Sequence, residues 1–142
     1  MLIIGYGNLD RSDDGAGILV AERLYELGVR ACSYTGEPLG LIDVWQHADH
    51  AILVDAVVTG APAGTIHVWD GRGHALDSKT PASTHGLGIA EAVELARLLN
   101  RLPSRLEVYG IEGYCFDCGN SVSPEVQRSI DEVIRRILTS IA

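Results

Sequence analysis

The stretch that decides the fold is residues 2–17, LIIGYGNLDRSDDGAG, near the start of the chain. Its first part, residues 2–5, is an apolar run that ends in glycine, which predicts a short buried strand. The polar residues 7–14 predict a loop, and the apolar stretch 18–27, closed by a glycine, predicts a helix. A strand, a loop and a helix in this order form the first unit of an α/β fold.

The rest of the chain continues this alternation. Apolar runs predict strands at 31–35, 51–54, 65–69 and 106–109, and apolar stripes predict helices at 39–47, 88–100 and 123–141. The longest irregular stretch, 70–83, is a candidate functional loop. The pattern predicts one three-layer α/β domain over residues 1–142, with a twisted, mostly parallel sheet of about five strands and helices on both faces.

Composition and charge exclude several classes of function. The 142 residues are 46% apolar and 21% charged, and 11 Lys and Arg against 19 Asp and Glu give a net charge of −8. Such a charge repels nucleic acid and anionic membrane surfaces, and the sequence has no apolar run of membrane-spanning length. Residues 1–5 have neither the basic region nor the long apolar region that would predict a secretory leader. Three cysteines at low density fit a reducing compartment. We therefore expect a cytoplasmic protein with neither nucleic-acid nor membrane partners, and its short length suggests a monomer.

Polar residues mark the ends of the predicted strands. Asp13 and Asp14 follow the first strand, Asp55 comes at the end of the apolar run 51–54, and His85 lies just before the helix 88–100. Ligands of parallel α/β sheets bind outside the carboxyl ends of the strands. These side chains could therefore converge at one edge of the sheet.

Two carboxylates and an imidazole suit a divalent metal such as zinc, nickel or manganese, with coordination positions left open for water or substrate. Each residue also has a simpler interpretation. Asp13 and Asp14 could cap the following helix, and His85 could cap the next one. Asp55 is harder to explain in this way, because a buried acid at the end of an apolar strand needs a cation or a hydrogen-bond donor.

Two other motifs carry weaker signals. Gly5 and Gly7 follow a strand, but Asp10 stands where a dinucleotide-binding loop has its third glycine, and the acidic loop would repel a pyrophosphate. We therefore expect no organic cofactor. Cys115 and Cys118 form a single C-x-x-C pair, which predicts two reduced thiols in a loop. The remaining histidines are interpreted as surface or packing residues, and the loop residues Asp10, Arg11 and His74 as possible neighbours of the site.

Four separated blocks of sequence resemble one known family, the maturation endopeptidases of nickel-iron hydrogenases. The blocks are IIGYGN at 3–8 with DDGAG at 13–17, then AILVDAV at 51–57, THGLG at 84–88, and a closing stretch from YGIE at 109–112 to SVSPEV at 121–126. The resemblance spans the chain and implies a twisted sheet flanked by helices. It also implies that Asp14, Asp55 and His85 form the catalytic, metal-contacting triad, with Asp14 or Asp55 as the candidate general base.

The resemblance further implies a substrate and a role for nickel. Members of the family remove the carboxyl-terminal extension of a hydrogenase large-subunit precursor, and the nickel is supplied by that substrate. The alternative is a maturation factor that binds nickel or inspects the precursor without cleaving it. Gly113 stands where many relatives have proline, and the Cys115–Cys118 pair is not part of the family pattern.

Overall fold

The computed structural model describes residues 1–72, 82–83, 88–116, 119 and 121–141. Its strands are β1 (Leu2–Tyr6), β2 (Ala31–Tyr34), β3 (His50–Val58), β4 (Ile66–Asp70), β5 (Ala82–Ser83) and β6 (Arg105–Glu112). Its α-helices are α1 (Ala16–Glu26), α2 (Leu41–Trp45), α3 (Gly88–Leu98) and α4 (Pro124–Ile141). Strands and helices alternate along most of this order, as the sequence predicts.

The strands form one sheet in the order β2-β1-β3-β6-β4, with β5 paired to β3 beside this path. Strands β1, β2, β3 and β6 are parallel, whereas β4 and β5 run antiparallel to their neighbours. This arrangement confirms the predicted α/β class and the mostly parallel sheet. The carboxyl ends of the four parallel strands therefore meet at one edge, which we call the carboxyl edge.

Helices cover both faces of the sheet. On one face α1 and α4 pack on Ile52, Val54 and Ile111, and on the other α2 and α3 pack on Leu53 and Val108. Because successive residues of a strand point to opposite faces, the buried run of β3 contributes to both layers. The prediction that a continuous apolar run forms a strand covered on both sides is therefore confirmed.

Two glycines allow α1 to lie directly against the sheet. A Cβ atom at Gly5 would overlap the carbonyl oxygen of Gly17, and one at Gly17 would overlap the carbonyl oxygen of Val54. The first strand and the first helix are therefore in main-chain contact. This close approach fixes where the loop between them lies relative to β3.

The structure corrects two boundaries. Asp55 is not at the end of its strand, because β3 pairs with β6 as far as Val57 and continues to Val58, which pairs with β5. Pairing of β3 with β1 does stop at Val54, so Asp55 is the first residue beyond that ladder. The stretch 70–83 is not wholly irregular either, since Ala82–Ser83 pairs with β3. Within the described ranges, no helix is long and apolar enough to cross a lipid bilayer.

Candidate functional site

Asp14 and Asp55 both lie at the carboxyl edge and are fully buried. Asp14 belongs to the 3₁₀ turn Ser12–Gly15 between β1 and α1, and Asp55 belongs to β3. Tyr6, the last residue of β1, links them: burial raises the pKa of its phenol, and the negative charges of Asp55 and Asp14 raise it further. The charges of both carboxylates therefore act on the same buried phenol.

The main chain holds Asp14 in place. The backbone N–H of Asn8 donates to the Asp14 carbonyl oxygen at 3.1 Å, and the Asp14 N–H donates to Arg11 at 3.0 Å. A Cβ atom at Gly7 would overlap the Asp14 carbonyl oxygen, so glycine is required there for this approach. The glycine-rich loop therefore positions the main chain of Asp14.

The chemistry of the two carboxylates suits a divalent cation. One oxygen of each, Asp14 Oδ2 and Asp55 Oδ1, is buried and accepts no hydrogen bond within the described residues, although neither residue lacks polar interactions. Carboxylate oxygens are common ligands of borderline and hard metal ions. The described residues contain no group of three or more His, Cys, Asp or Glu side chains arranged to hold a metal. The third predicted ligand, His85, lies outside the described residues, as do His74 and Cys118.

Asp13 has a different role from its neighbour. Its buried carboxylate accepts hydrogen bonds from the backbone N–H groups of Tyr114, Cys115 and Ser123 at 2.8, 2.9 and 2.7 Å. The Ser123 hydroxyl donates to it as well, at 2.9 Å. Burial raises the pKa of Asp13, but these donors outweigh burial and lower it overall. The interpretation of Asp13 as a cap of its own helix is wrong, because its hydrogen bonds go to the segment before α4.

Further main-chain bonds join the two loops. The N–H groups of Ser12 and Asp13 donate to the carbonyls of Gly119 and Cys115 at 2.8 and 2.9 Å, and the Gly119 N–H donates to Asp10 at 2.9 Å. Ser123 directly precedes α4, where the sequence predicts a helix start. Tyr114, Cys115, Gly119 and Ser123 therefore hold the turn that carries Asp14.

Glu112 is a buried carboxylate that the sequence analysis did not select. It accepts hydrogen bonds from the Thr59 N–H at 2.8 Å and the Thr59 hydroxyl at 2.6 Å, and its Oε1 is 3.2 Å from His67 Nε2. Burial raises the pKa of Glu112, but Thr59 and His67 outweigh burial and lower it overall. The sequence signal that could have found Glu112 is the one that selected Asp55, namely an acidic residue in an otherwise apolar strand.

His67 is therefore paired with a buried carboxylate, and its ring also stacks on Trp69 with centroids 5.2 Å apart. Asp55, Gly110 and His67 occupy matching positions on neighbouring strands. Glu112 and His67 therefore lie on the same face of the sheet as Asp55, and Gly110 lies between Asp55 and His67.

Taken together, the fold and the site define an α/β protein whose acidic centre lies where such sheets bind ligands. A family model described as hydrogenase maturation protease matches residues 36–140. The chain therefore belongs to the hydrogenase maturation protease family and is an enzyme of the peptidase class.

Individual relatives agree with this assignment. The hydrogenase 2 maturation protease of Escherichia coli (strain K12) is 25% identical over 152 aligned positions, which cover 99% of this chain and 90% of that protein. The [NiFe] hydrogenase maturation protease HybD from Thermococcus kodakarensis has a similar fold, with a TM-score of 0.81, 22% identity, and coverage of 97% of this chain and 96% of that one. The structure of the E. coli endopeptidase HybD gives a TM-score of 0.80, with 21% identity and coverage of 99% and 90%.

Proposed function

We propose that the protein is an endopeptidase that removes the carboxyl-terminal extension of a nickel-iron hydrogenase large-subunit precursor after nickel has been inserted. The observation that carries this proposal is the pair of fully buried carboxylates, Asp14 and Asp55, at the carboxyl edge of a sheet from this family. Two buried carboxylates at the edge where such sheets bind ligands are a set of donors suited to a divalent cation, and the nickel of the substrate is such a cation.

The proposed ligands of the substrate nickel are Asp14, Asp55 and His85. Two oxygens and one imidazole nitrogen can complete the coordination of an ion that the precursor already holds. The short strand β5 brings the chain to the carboxyl end of β3, where Ser83 pairs with Val57, and His85 follows two residues later in the sequence. In this proposal the enzyme has no metal cofactor or organic cofactor of its own, and the precursor's nickel serves for recognition.

The same residues can support hydrolysis of the peptide bond. Either Asp14 or Asp55 accepts a proton from a water molecule, whose oxygen then adds to the scissile carbonyl carbon. The bond from that carbon to nitrogen then breaks as the proton passes from the carboxyl group to the leaving amine, and a nickel ion held beside the scissile carbonyl would supply polarisation of that carbonyl. Burial of both carboxylates excludes bulk water and so strengthens these electrostatic effects.

Mass spectrometry of a large-subunit precursor, nickel-loaded or nickel-free, tests this function. We expect the unmutated protein to release a carboxyl-terminal peptide from the nickel-loaded form alone. Asp14→Asn and Asp55→Asn should each slow release by about 100-fold or more, because each removes a negative ligand or base. Asp49→Asn, at an exposed aspartate near the opposite edge, is the matched control and should cleave at the unmutated rate.

The imidazole is tested in the same assay. His85→Gln should stop release, whereas His47→Gln, at an exposed histidine, should not. Normal trimming by Asp55→Asn would contradict the role given to Asp55. A stable complex with nickel-loaded precursor but no released peptide would instead support the alternative, a factor that binds nickel or inspects the precursor without cleaving it.

A further inference from the structure

A groove lies beside β2, the strand at one side of the sheet. One wall is a stripe of α1 formed by Ala21, Glu22, Tyr25 and Glu26, and the other wall is β2 itself, at residues 31–33. These residues line one cavity of about 280 Å³, which we call the β2 groove. The groove is therefore a continuous surface between a helix and the outermost strand next to it.

The outer side of β2 offers main-chain hydrogen-bonding groups. The carbonyl oxygens of Arg30 and Tyr34 accept hydrogen bonds from β1 and the residue after it, at 3.0 and 3.3 Å. Because the main-chain groups of a strand point alternately to its two sides, those of Ala31 and Ser33 point away from β1. In the part of the chain that the structure describes, β1 is the only strand paired with β2. Such an outer side is a template for pairing with another extended segment.

The helix wall of the β2 groove is acidic. Glu22 and Glu26 are exposed and lie one turn apart on α1, and within the described ranges neither takes part in an ion pair. Like charges at this spacing repel each other, so a positive group beside them is favourable. The ring of Tyr25, which is 70% exposed on the same wall, also attracts cations.

The wider charge distribution agrees with this preference. The net charge of −8 attracts basic partners over longer distances. Burial raises the pKa of the Cys32 thiol in the strand wall, and the positive charge of Arg30 opposes this rise. One base therefore lies near the start of the strand wall, against two glutamates on the helix wall.

We propose that the β2 groove binds an extended, basic segment of a partner protein, which adds to the sheet as a strand beside β2. Hydrogen bonds to the main chain of Ala31 and Ser33 supply affinity, and basic side chains paired with Glu22 and Glu26 supply selectivity. Charge argues against a second copy of this chain, because a two-fold axis would bring the same glutamates to face each other. The proposal is independent of the peptidase function, since no residue of the groove is assigned to the substrate nickel.

A peptide probe tests the charge preference. The probe is a fluorescein-labelled hexapeptide of alternating lysine and valine, and fluorescence anisotropy with the full chain at low ionic strength gives its Kd. We expect the double variant Glu22→Gln, Glu26→Gln to raise Kd by about fivefold, because two ion pairs at the surface are lost. The double variant Glu91→Gln, Glu125→Gln changes the net charge equally at exposed positions of α3 and α4, and should bind the probe as the unmutated protein does.

Hydrogen exchange followed by NMR tests the strand pairing. With the probe bound, the N–H groups of Ala31 and Ser33 should exchange about tenfold more slowly, whereas those of Cys32 and Tyr34, which face β1, should be unchanged. Two further probes carry N-methyl groups on the lysine amides or on the valine amides. Because one side of an added strand pairs with β2, one of these probes should bind about tenfold more weakly and the other normally.

Three results would overturn the proposal. Equal Kd values for the two double variants would show that Glu22 and Glu26 do not contact the probe. Unchanged exchange at Ala31 and Ser33 would exclude an added strand. A dimer in sedimentation analysis that protects the same two N–H groups and does not dissociate with excess probe would assign the β2 groove to a second copy.

Discussion

Two adjacent aspartates can have different roles because their surroundings differ. Asp13 and Asp14 follow each other in one turn and are equally buried, and the Asp13 carboxylate accepts hydrogen bonds from the backbone N–H groups of Tyr114, Cys115 and Ser123. A carboxylate that accepts several backbone hydrogen bonds is a structural anion, already satisfied by the fold. The structural role therefore belongs to Asp13, whereas the proposed function assigns its neighbour Asp14 to the nickel of the substrate.

Substitution of Asp13 tests whether its hydrogen bonds stabilise the fold. Asp13→Asn removes the charge and turns an amide N–H group toward backbone donors, so we expect the free energy of unfolding to fall by about 3 kcal/mol. Ser123→Ala removes only one hydroxyl donor and should cost about 1 kcal/mol. Urea unfolding followed by circular dichroism measures both. Equal stability of the Asp13→Asn and unmutated proteins would show that these hydrogen bonds make no net contribution to the free energy of unfolding.

At the scale of one residue, the sequence identified some carboxylates and not their partners. Asp14 could be selected because it lies in the polar loop after the first strand, and Asp55 because it directly follows a strand-forming apolar run. The donors to Asp13, by contrast, are 101 to 110 residues away along the chain. No local pattern encodes such a contact, since it depends on how two loops meet after the sheet has formed. The same reason applies to the partners of Glu112, because Thr59 and His67 are 53 and 45 residues away from it along the chain.

At the scale of the element, local patterns predicted the helices well and strand ends less well. The residues that begin and end α1 and α4 follow from glycine, proline and the apolar stripe, all of which lie within the helix or beside it. Strand β3 is longer than its apolar run because β6 pairs with it as far as Val57. Strand length is thus set by the neighbouring strand, which a single stretch of sequence does not contain.

The contact between α1 and the sheet leads to a prediction about the whole helix. Alanine normally stabilises a helix by about 1 kcal/mol relative to glycine. At Gly17 the new methyl group would overlap the carbonyl oxygen of Val54, a main-chain atom that cannot move aside alone. We therefore expect Gly17→Ala to reduce the free energy of unfolding by about 2 kcal/mol, because α1 has to shift away from the sheet.

Thermal and urea unfolding of Gly17→Ala give the measurement, and Glu22→Ala, an exposed position of the same helix, is the control. The control should differ from the unmutated protein by less than about 0.5 kcal/mol. A stabilised Gly17→Ala protein would mean that helix propensity outweighs the contact and that α1 tolerates a wider separation from β3.

At the scale of the whole molecule, two buried acids join distant parts of the chain. Asp13 ties the turn after β1 to the segment before α4, and Glu112 ties the end of β6 to Thr59 and to His67 on β4. Both clusters lie at the carboxyl edge, around the candidate site. The ionised state of these two acids therefore matters for the fold as a whole and for the geometry of that edge.

Their pKa values predict how stability depends on pH. The pKa of Asp13 lies below its ordinary value of 3.8 and that of Glu112 below its ordinary value of 4.5, because hydrogen-bond donors favour the charged forms. Above about pH 5 both acids are ionised in the folded and unfolded chains, so their stabilising contribution is complete. As the pH falls below these ordinary values, the unfolded chain binds protons before the folded one does. The contribution is then lost progressively as the pH approaches the folded-state pKa values.

Urea unfolding between about pH 7 and pH 3.5 measures this loss in the unmutated protein and in the double variant Asp13→Asn, Glu112→Gln. The double variant should be less stable at neutral pH, since it lacks both charges. Below about pH 5 the unmutated protein should lose stability more steeply than the variant, so that the two curves approach each other. Parallel curves would assign the acid sensitivity to other carboxylates. Converging curves would show that the ionisation of Asp13 and Glu112 accounts for the loss of stability at low pH.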